Sequence, residues 1–283
     1  ILVDTEYEQG GEYPIATQTV TVAAGETKYV DAQLVGKQVN SDGDDDILQS
    51  LRLQCTGPVQ ERIKTTQNDL RGGSWLTTDA HLVLETPGTY TCVLSASTSH
   101  HGARLEIGGK TSCIVTVPTP ALDFPANTDE EKFVGEGQIV KKGETDYVMW
   151  HHFDVDPAST SVDFHGDIEL TDINGANNSG TSIAECTRPD TNYDPAYARV
   201  HIEAAQLASS GTCGGWVASP NTDVTISART HHQKLHLDLT RQMSHAANCL
   251  PAFWVRTYIV ARSGGNDLCF HGARYSNFFA FPH

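Results

Sequence analysis

LRLQC (residues 51–55), read together with GTYTCVLSA (residues 88–96), decides the fold. Leu51, Leu53 and Cys55 alternate with polar residues, as do Tyr90, Cys92 and Leu94. Successive side chains on a strand point to opposite faces, so a period of two with one apolar set marks a half-buried antiparallel strand. The signature returns along the chain in Cys113, Val115 and Val117, in Val162, Phe164, Ile168 and Leu170, and in Leu235, Leu237 and Leu239. Turn clusters punctuate these runs, as in AAGET (23–27), ETPGT (85–89), EIGGKT (106–111) and RSGGND (262–267). No amphipathic helix of three turns is legible, and the best short candidate is residues 204–208. The chain reads as all-β.

The 283 residues suffice for one large domain or two ordinary ones. Asp and Glu number 35 against 19 Lys and Arg, a formal charge of −16. That balance disfavours sequence-independent nucleic-acid binding, which needs a basic surface to release phosphate counterions. It equally disfavours a polybasic grip on anionic lipid. No run of apolar residues is long enough for a membrane-spanning helix. Neither nucleic acid nor membrane insertion is expected. The first residues, ILVDTEYEQGGEYP, lack a basic n-region and a long apolar h-region, so any signal peptide is expected to have been removed already.

VPTPALDFPANTDEE (117–131) combines three prolines with an acidic run and reads as a partly extended linker. It separates an N-terminal unit, 1–117, from a C-terminal unit, 132–283, with the linker at 118–131. The two halves echo each other. AAGETKYV (23–30) recurs as KKGETDYV (141–148), and LSASTSHH (94–101) resembles ISARTHH (226–232). HGAR occurs at 101–104 and again at 271–274, out of order with the other matches. A diverged duplication of one β domain accounts for most of this, with insertions in the second copy.

The seven cysteines form no C-x-x-C and no zinc-finger spacing with histidines. Each lies in or beside a strand-like run of a chain rich in Thr, Ser and Gly. That setting favours disulfides and an oxidising, secreted or cell-surface location. The order along the chain suggests Cys55–Cys92, Cys186–Cys213 and Cys249–Cys269, leaving Cys113 as a buried thiol. Cys92–Cys113 is the open alternative.

With LRLQC, Trp75 and GTYTC in place, the first half resembles immunoglobulin-like domains over residues 51–92. Tyr90, two residues before Cys92, occupies the tyrosine-corner position, where the hydroxyl reaches back to backbone. Trp75 lies far from Cys55 for the strand C tryptophan, and SSGTC (209–213) carries no tyrosine. The resemblance implies two tandem, disulfide-bonded antiparallel β-sandwiches, with a jelly roll as the alternative architecture.

Enzyme signatures are sparse. GGKT (108–111) lacks the first glycine of a phosphate loop and sits among turns, whereas phosphate binding needs amides at a helix N-terminus. Neither G-x-S-x-G nor H-E-x-x-H occurs. Of thirteen histidines, three pairs are adjacent, and neighbours on a strand cannot chelate one ion. His152, Asp154 and Asp156 share one strand face and offer ligands suited to zinc or copper. His232 with His236, or His236 beside Asp238, offers a second such set. Asp42, Asp44 and Asp46 in SDGDDD (41–46) surround a glycine in the manner of a calcium loop, though without its full pattern. No cofactor is expected, with calcium at this loop as the possible exception. Asn177 heads the acceptor triplet for N-glycosylation. Trp150 and Trp254 read as core, while Trp216 in CGGWV reads as exposed and able to stack on a sugar.

Apolar ends complete the picture. Ile1, Leu2 and Val3 open the chain, and Phe278, Phe279 and Phe281 crowd its end. Left in water they would cost ~25 cal/mol per Å², so they should dock on their own unit or on a neighbour. An N-terminal strand added to another copy would give a head-to-tail polymer. The leading expectation is a non-enzymatic secreted structural protein, a self-assembling subunit of an extracellular fibre, sheath, coat or appendage. The alternatives are a binding module for glycan or a surface protein, with Trp216 and residues 174–179 at the contact, and a secreted metal-dependent enzyme using His152, Asp154 and Asp156.

Overall fold

A computed structural model of the chain describes residues 2–4, 12–40, 47–58, 61–70, 75–98, 104–108, 112–118, 120, 122–124, 138–173, 195–226, 232–272 and 275–283. The fold is all-β, with strands and no helix among the described residues. Residues 204–208, the best helix candidate, end strand β14 (Ala196–Ala208). Two compact units divide the chain: 1–120, 126–128 and 229–234 in the first, and 121–125, 129–228 and 235–283 in the second.

The first unit stacks two antiparallel sheets. One follows the order β2 (Tyr13–Val22), β7 (Gly88–Thr98), β4 (Ile47–Thr56), β5 (Glu61–Leu70). The other runs β1 (Leu2–Asp4), β8 (Arg104–Ile107), β3 (Lys28–Asn40), β6 (Trp75–Leu84), with β9 (Cys113–Pro118) also on β3. The alternating apolar positions face inward. Leu51, Leu53, Tyr90, Leu94, Val30, Leu34 and Leu82 form a buried core. Burying a Leu or Val side chain stabilises by ~1.5–3 kcal/mol, and this repeated term is what holds the two layers together.

Two features of the immunoglobulin resemblance separate here. The Tyr90 hydroxyl donates to Thr86 O at 2.8 Å, and the ring is fully buried, so the tyrosine corner is present. Cys55 and Cys92 are bonded, but they are register partners on neighbouring strands of one sheet. In an immunoglobulin domain the equivalent bridge crosses between sheets and packs on a buried Trp. Here Trp75 is 49% exposed.

The second unit is again a pair of sheets. One follows β10 (Leu122–Phe124), β20 (Asn277–Pro282), β13 (Ser161–Ile173), β19 (Asp267–His271), β11 (Gln138–Val140), with β17 (His232–Gln242) also on β13. The other runs β12 (Thr145–Asp154), β18 (Cys249–Ala261), β14, β15 (Thr212–Ala218), with β16 (Thr222–Ile226) on β14. Phe164, Phe253, Phe270 and Phe278 are completely buried in its core. The segment 118–131, expected as linker, contributes β10. That strand satisfies the backbone edge of β20 through Leu122↔Ala280 to Phe124↔Phe278.

A common scaffold recurs. The order β2-β7-β4 in the first unit matches β11-β19-β13 in the second, and the pair β3-β6 matches β12-β18. Both GET turns carry a glycine in the left-handed region, Gly25 at φ 75° and Gly143 at φ 81°. Each closes with a backbone hydrogen bond, Glu26 N to Ala23 O and Glu144 N to Lys141 O. Both deliver the chain from one sheet to the other. In this correspondence Cys92 on β7 matches Cys269 on β19, and HGAR follows the matching strand in each unit. HGAR, out of order among the sequence matches, is in step with the strand order, as the GET turns are.

The remaining cysteines depart from expectation. Cys213 bonds Cys249, in place of the expected Cys186–Cys213 and Cys249–Cys269. The reason lies in the sheet. Cys213 on β15 pairs with Gln206, Cys249 on β18 pairs with Ala208, and the bridge passes over the end of β14 between them. Cys269 is also disulfide-bonded, and Cys113 is free. Cys186 lies outside the described residues.

Candidate functional site

The inner face of the β12-β18-β14-β15 sheet is apolar, with Val148 and Phe153 from β12, Val255 and Ile259 from β18, and Val200 and Ile202 from β14 all buried. The outer face carries the chemistry. Cross-strand pairing sets three rows upon it: Tyr147–Tyr258–His201, Trp150–Arg256–Glu203 and His152–Trp254–Ala205. Rows on one face lie about 6.8 Å apart along a strand, and adjacent strands about 4.8 Å apart. Tyr147 and Trp150 are three residues apart, so an unbroken strand would send them to opposite faces. A register shift between Tyr147 and Met149 brings both outward.

Arg256 is the centre of this face. Its guanidinium carbon lies 3.8 Å from the Tyr147 ring centroid, 3.7 Å from Trp216 and 4.9 Å from Trp150. The positive group sits against the negative faces of these rings. Glu203 accepts from Arg256 Nε at 2.7 Å and lies 2.6 Å from Nη2, so the charge is neutralised in place. Glu203 is held in turn by His201, at 3.1 Å. Trp150 meets Trp216 and Trp254 edge-to-face, with centroids 6.0 and 6.5 Å away. All these rings are half-buried: their edges are packed and part of each surface faces solvent. Trp150 and Trp254, expected in the core, therefore belong to this outer surface together with Trp216. No sequence run spells the face out, because its residues come from four strands.

The face has an open corner. His152 keeps 36% of its side chain exposed and lies 5.4 Å from the Trp254 ring. Arg256 and Glu203 are at 14% and 15%. Its neighbour His151 turns inward, edge-on to Phe153 at 4.6 Å. Burial pushes the His151 imidazole down to about 4, and the adjacent His152 adds to the shift.

Other sequence-derived sites fare differently. His152 and Asp154 are 3.5 Å apart, but Asp154 is 84% exposed. Asp156 lies past the end of β12, where its carboxylate accepts from Ala158 N at 2.8 Å. The three do not converge as ligands, because the strand ends before the third. Asp42, Asp44, Asp46, Asn177, residues 174–179 and Ile1 lie outside the described residues, and so do the side chains of Leu2 and Val3. Backbone pairing places Leu2 and Val3 opposite Glu106 and Leu105 of β8, in their own unit. Phe278 is fully buried in the core of the second unit, and Phe279, fully buried, and Phe281, partly so, share its strand β20, paired with β13.

No protein-family model and no curated protein matches the sequence. Solved structures give remote similarities. The tandem CBM22-1–CBM22-2 domain of Paenibacillus barcinonensis Xyn10C aligns at 9% identity and a TM-score of 0.28, over 93% of this chain and 82% of that one. The stem and receptor-binding domain of spike protein P1 from bacteriophage PM2 aligns at 7% and 0.26, over 94% and 95%. An infectious bursal disease virus structure, the Gx strain, aligns at 10% and 0.20, over 96% and 81%.

Proposed function

We propose that this chain is a non-enzymatic extracellular recognition protein whose second unit binds a glycan on the outer face of the β12-β18-β14-β15 sheet. The observation that carries the reading is the three-row aromatic face built around Arg256. Aromatic surface takes up the apolar C–H face of a sugar ring, while the indole N–H groups and the exposed His152 imidazole supply polar contacts at the rim. Holding Arg256 between Tyr147 and Trp216 fixes those rings before a ligand arrives, which lowers the ordering cost of binding. The paired cysteines and the lack, among the described residues, of a helix able to cross a membrane fit a secreted or surface-displayed chain.

The fibre reading asks for an N-terminal strand that leaves its own sheet. Here β1 is hydrogen-bonded to β8, so the geometry supports recognition by a side-chain face over assembly by strand addition.

The test is a glycan array probed with the full chain and with the double variant Trp150→Ala/Trp254→Ala. Saturable binding that weakens at least tenfold in the variant supports the reading. Absence of any saturable glycan, or binding indifferent to both tryptophans, overturns it.

A further inference from the structure

β17 carries core residues at every second position. Leu237 and Leu239 are buried, and Leu235 packs against the same core. Arg241 continues that series, so its side chain leaves the strand on the core-facing side. Among the described strands β17 pairs only with β13, and β15 only with β14, so both are edges of their sheets. The Arg241 guanidinium reaches from the one edge to the other. Its Nη2 lies 3.4 Å from Gly215 O on β15, long for a hydrogen bond, and its Nε is buried with no partner.

The charge count sets this residue apart. Of the arginines whose side chains are described, Arg52 pairs with Glu12, Arg256 with Glu203, and Arg199 and Arg262 share Asp223. Arg241 has no carboxylate partner among the described residues, in a chain with 35 acids and 19 bases. Burial pushes its pKa down, and no neighbouring charge offsets that. A guanidinium partly withdrawn from water without a counter-ion is costly until an anion joins it. The approach to it is bare. Gly214 and Gly215 are exposed; a Cβ at Gly214 would come to 4.0 Å from Arg241 Nη2, and one at Gly215 would meet nothing.

The residue after Gly215 is Trp216, whose ring lies on Arg256 in the aromatic face. Adjacent Cα atoms are ~3.8 Å apart, which puts an anion at Arg241 and a sugar at Trp216 within the reach of one short glycan. The planar fork of the guanidinium matches the paired oxygens of a carboxylate or a sulfate.

We propose that Arg241 is the anion-binding subsite of the glycan face, so that the second unit selects an acidic glycan bearing a carboxylate or sulfate on the sugar beside Trp216. The inference rests on the aromatic-face reading and adds the charge of the ligand to it. The net charge of −16 opposes such a ligand only at long range, and salt screens it beyond ~8 Å.

The experiment titrates the full chain with oligosaccharides of one backbone that carry a carboxylate, a sulfate or neither, at low and physiological salt. An acidic form should bind about tenfold or more tighter than the neutral one, the size of one charge-assisted contact, and the preference should shrink as salt is added. Whichever acidic arm binds tighter names the anion. Arg241→Gln should erase the preference and leave affinity for the neutral form unchanged, while Arg262→Gln, which removes a charge from the Asp223 pair, should preserve it. In the unsubstituted chain phenylglyoxal should modify Arg241, and the acidic oligosaccharide should protect it. Equal affinity for acidic and neutral forms, a preference that survives Arg241→Gln, or an Arg241 that is unreactive or unprotected would each overturn the proposal. Neutral binding that still needs Trp150 and Trp254 would overturn this assignment alone and leave the aromatic face standing; absence of any saturable glycan would overturn both.

Discussion

The two units share a scaffold and differ in what they mount upon it. Each has the same three-strand order in one sheet, the same strand pair in the other, and the same GET turn passing between them. The outer surface of the pair is where they diverge. In the first unit Trp75 on β6 stands 49% exposed with Lys37 near its ring, at 5.6 Å. In the second, β12 and β18 are joined by β14 and β15, and Trp150, Trp216 and Trp254 gather around Arg256. Backbone pairing and inward apolar positions make a sandwich, and that demand is met twice by the same means. Outward positions escape it, and a bulge in one strand is enough to turn them into a surface.

The comparison can be broken most forcefully through the cores. Phe278→Ala empties a fully buried position of the second unit and should cost ~3–5 kcal/mol. Three of the four tryptophans report on that unit, so its fluorescence transition should move to lower denaturant while Trp75 in the first is spared. Next is the joint substitution Cys55→Ser/Cys92→Ser, which removes the in-sheet bridge of the first unit. A loss of ~2–4 kcal/mol is expected there, read by calorimetry, with glycan binding by the second unit intact.

A pH series sharpens the contrast further. His151 is held near 4 in the folded chain against an ordinary value of 6.5, so between those values the unfolded chain binds a proton that the folded one refuses. Its contribution to stability is complete above about pH 6.5 and drains away as pH falls toward 4. Melting temperatures of the wild type should therefore fall more steeply over that window than those of His151→Phe. The smallest effect is expected from Tyr90→Phe, which removes one hydrogen bond to Thr86 and should cost ~1 kcal/mol by urea titration.

The fold was open to reading because period-two patterning and the tyrosine corner are local in sequence. Leu51, Leu53, Tyr90 and Cys92 announce a sandwich wherever the chain leads. The Cys213–Cys249 bridge was hidden, since it depends on β14 lying between β15 and β18, and sequence order alone does not reveal which strands are neighbours. The aromatic face was hidden for a related reason. Trp150 reads as core in YVMWHHF unless the bulge after Tyr147 is known, and Arg256 has no signal of its own. His236 beside Asp238 was visible, while their partners on β13, Asp167 and His165, became apparent only once the two strands were paired.

Hydroxyl-radical footprinting of the full chain, with and without the glycan that binds best, tests the recognition face most directly, because each unit carries its own tryptophan reporters. Ligand should shield Trp150, Trp216 and Trp254 from oxidation and leave Trp75 as reactive as before. Shielding of Trp75 instead, or equal oxidation of all four in the presence of saturating ligand, would contradict it.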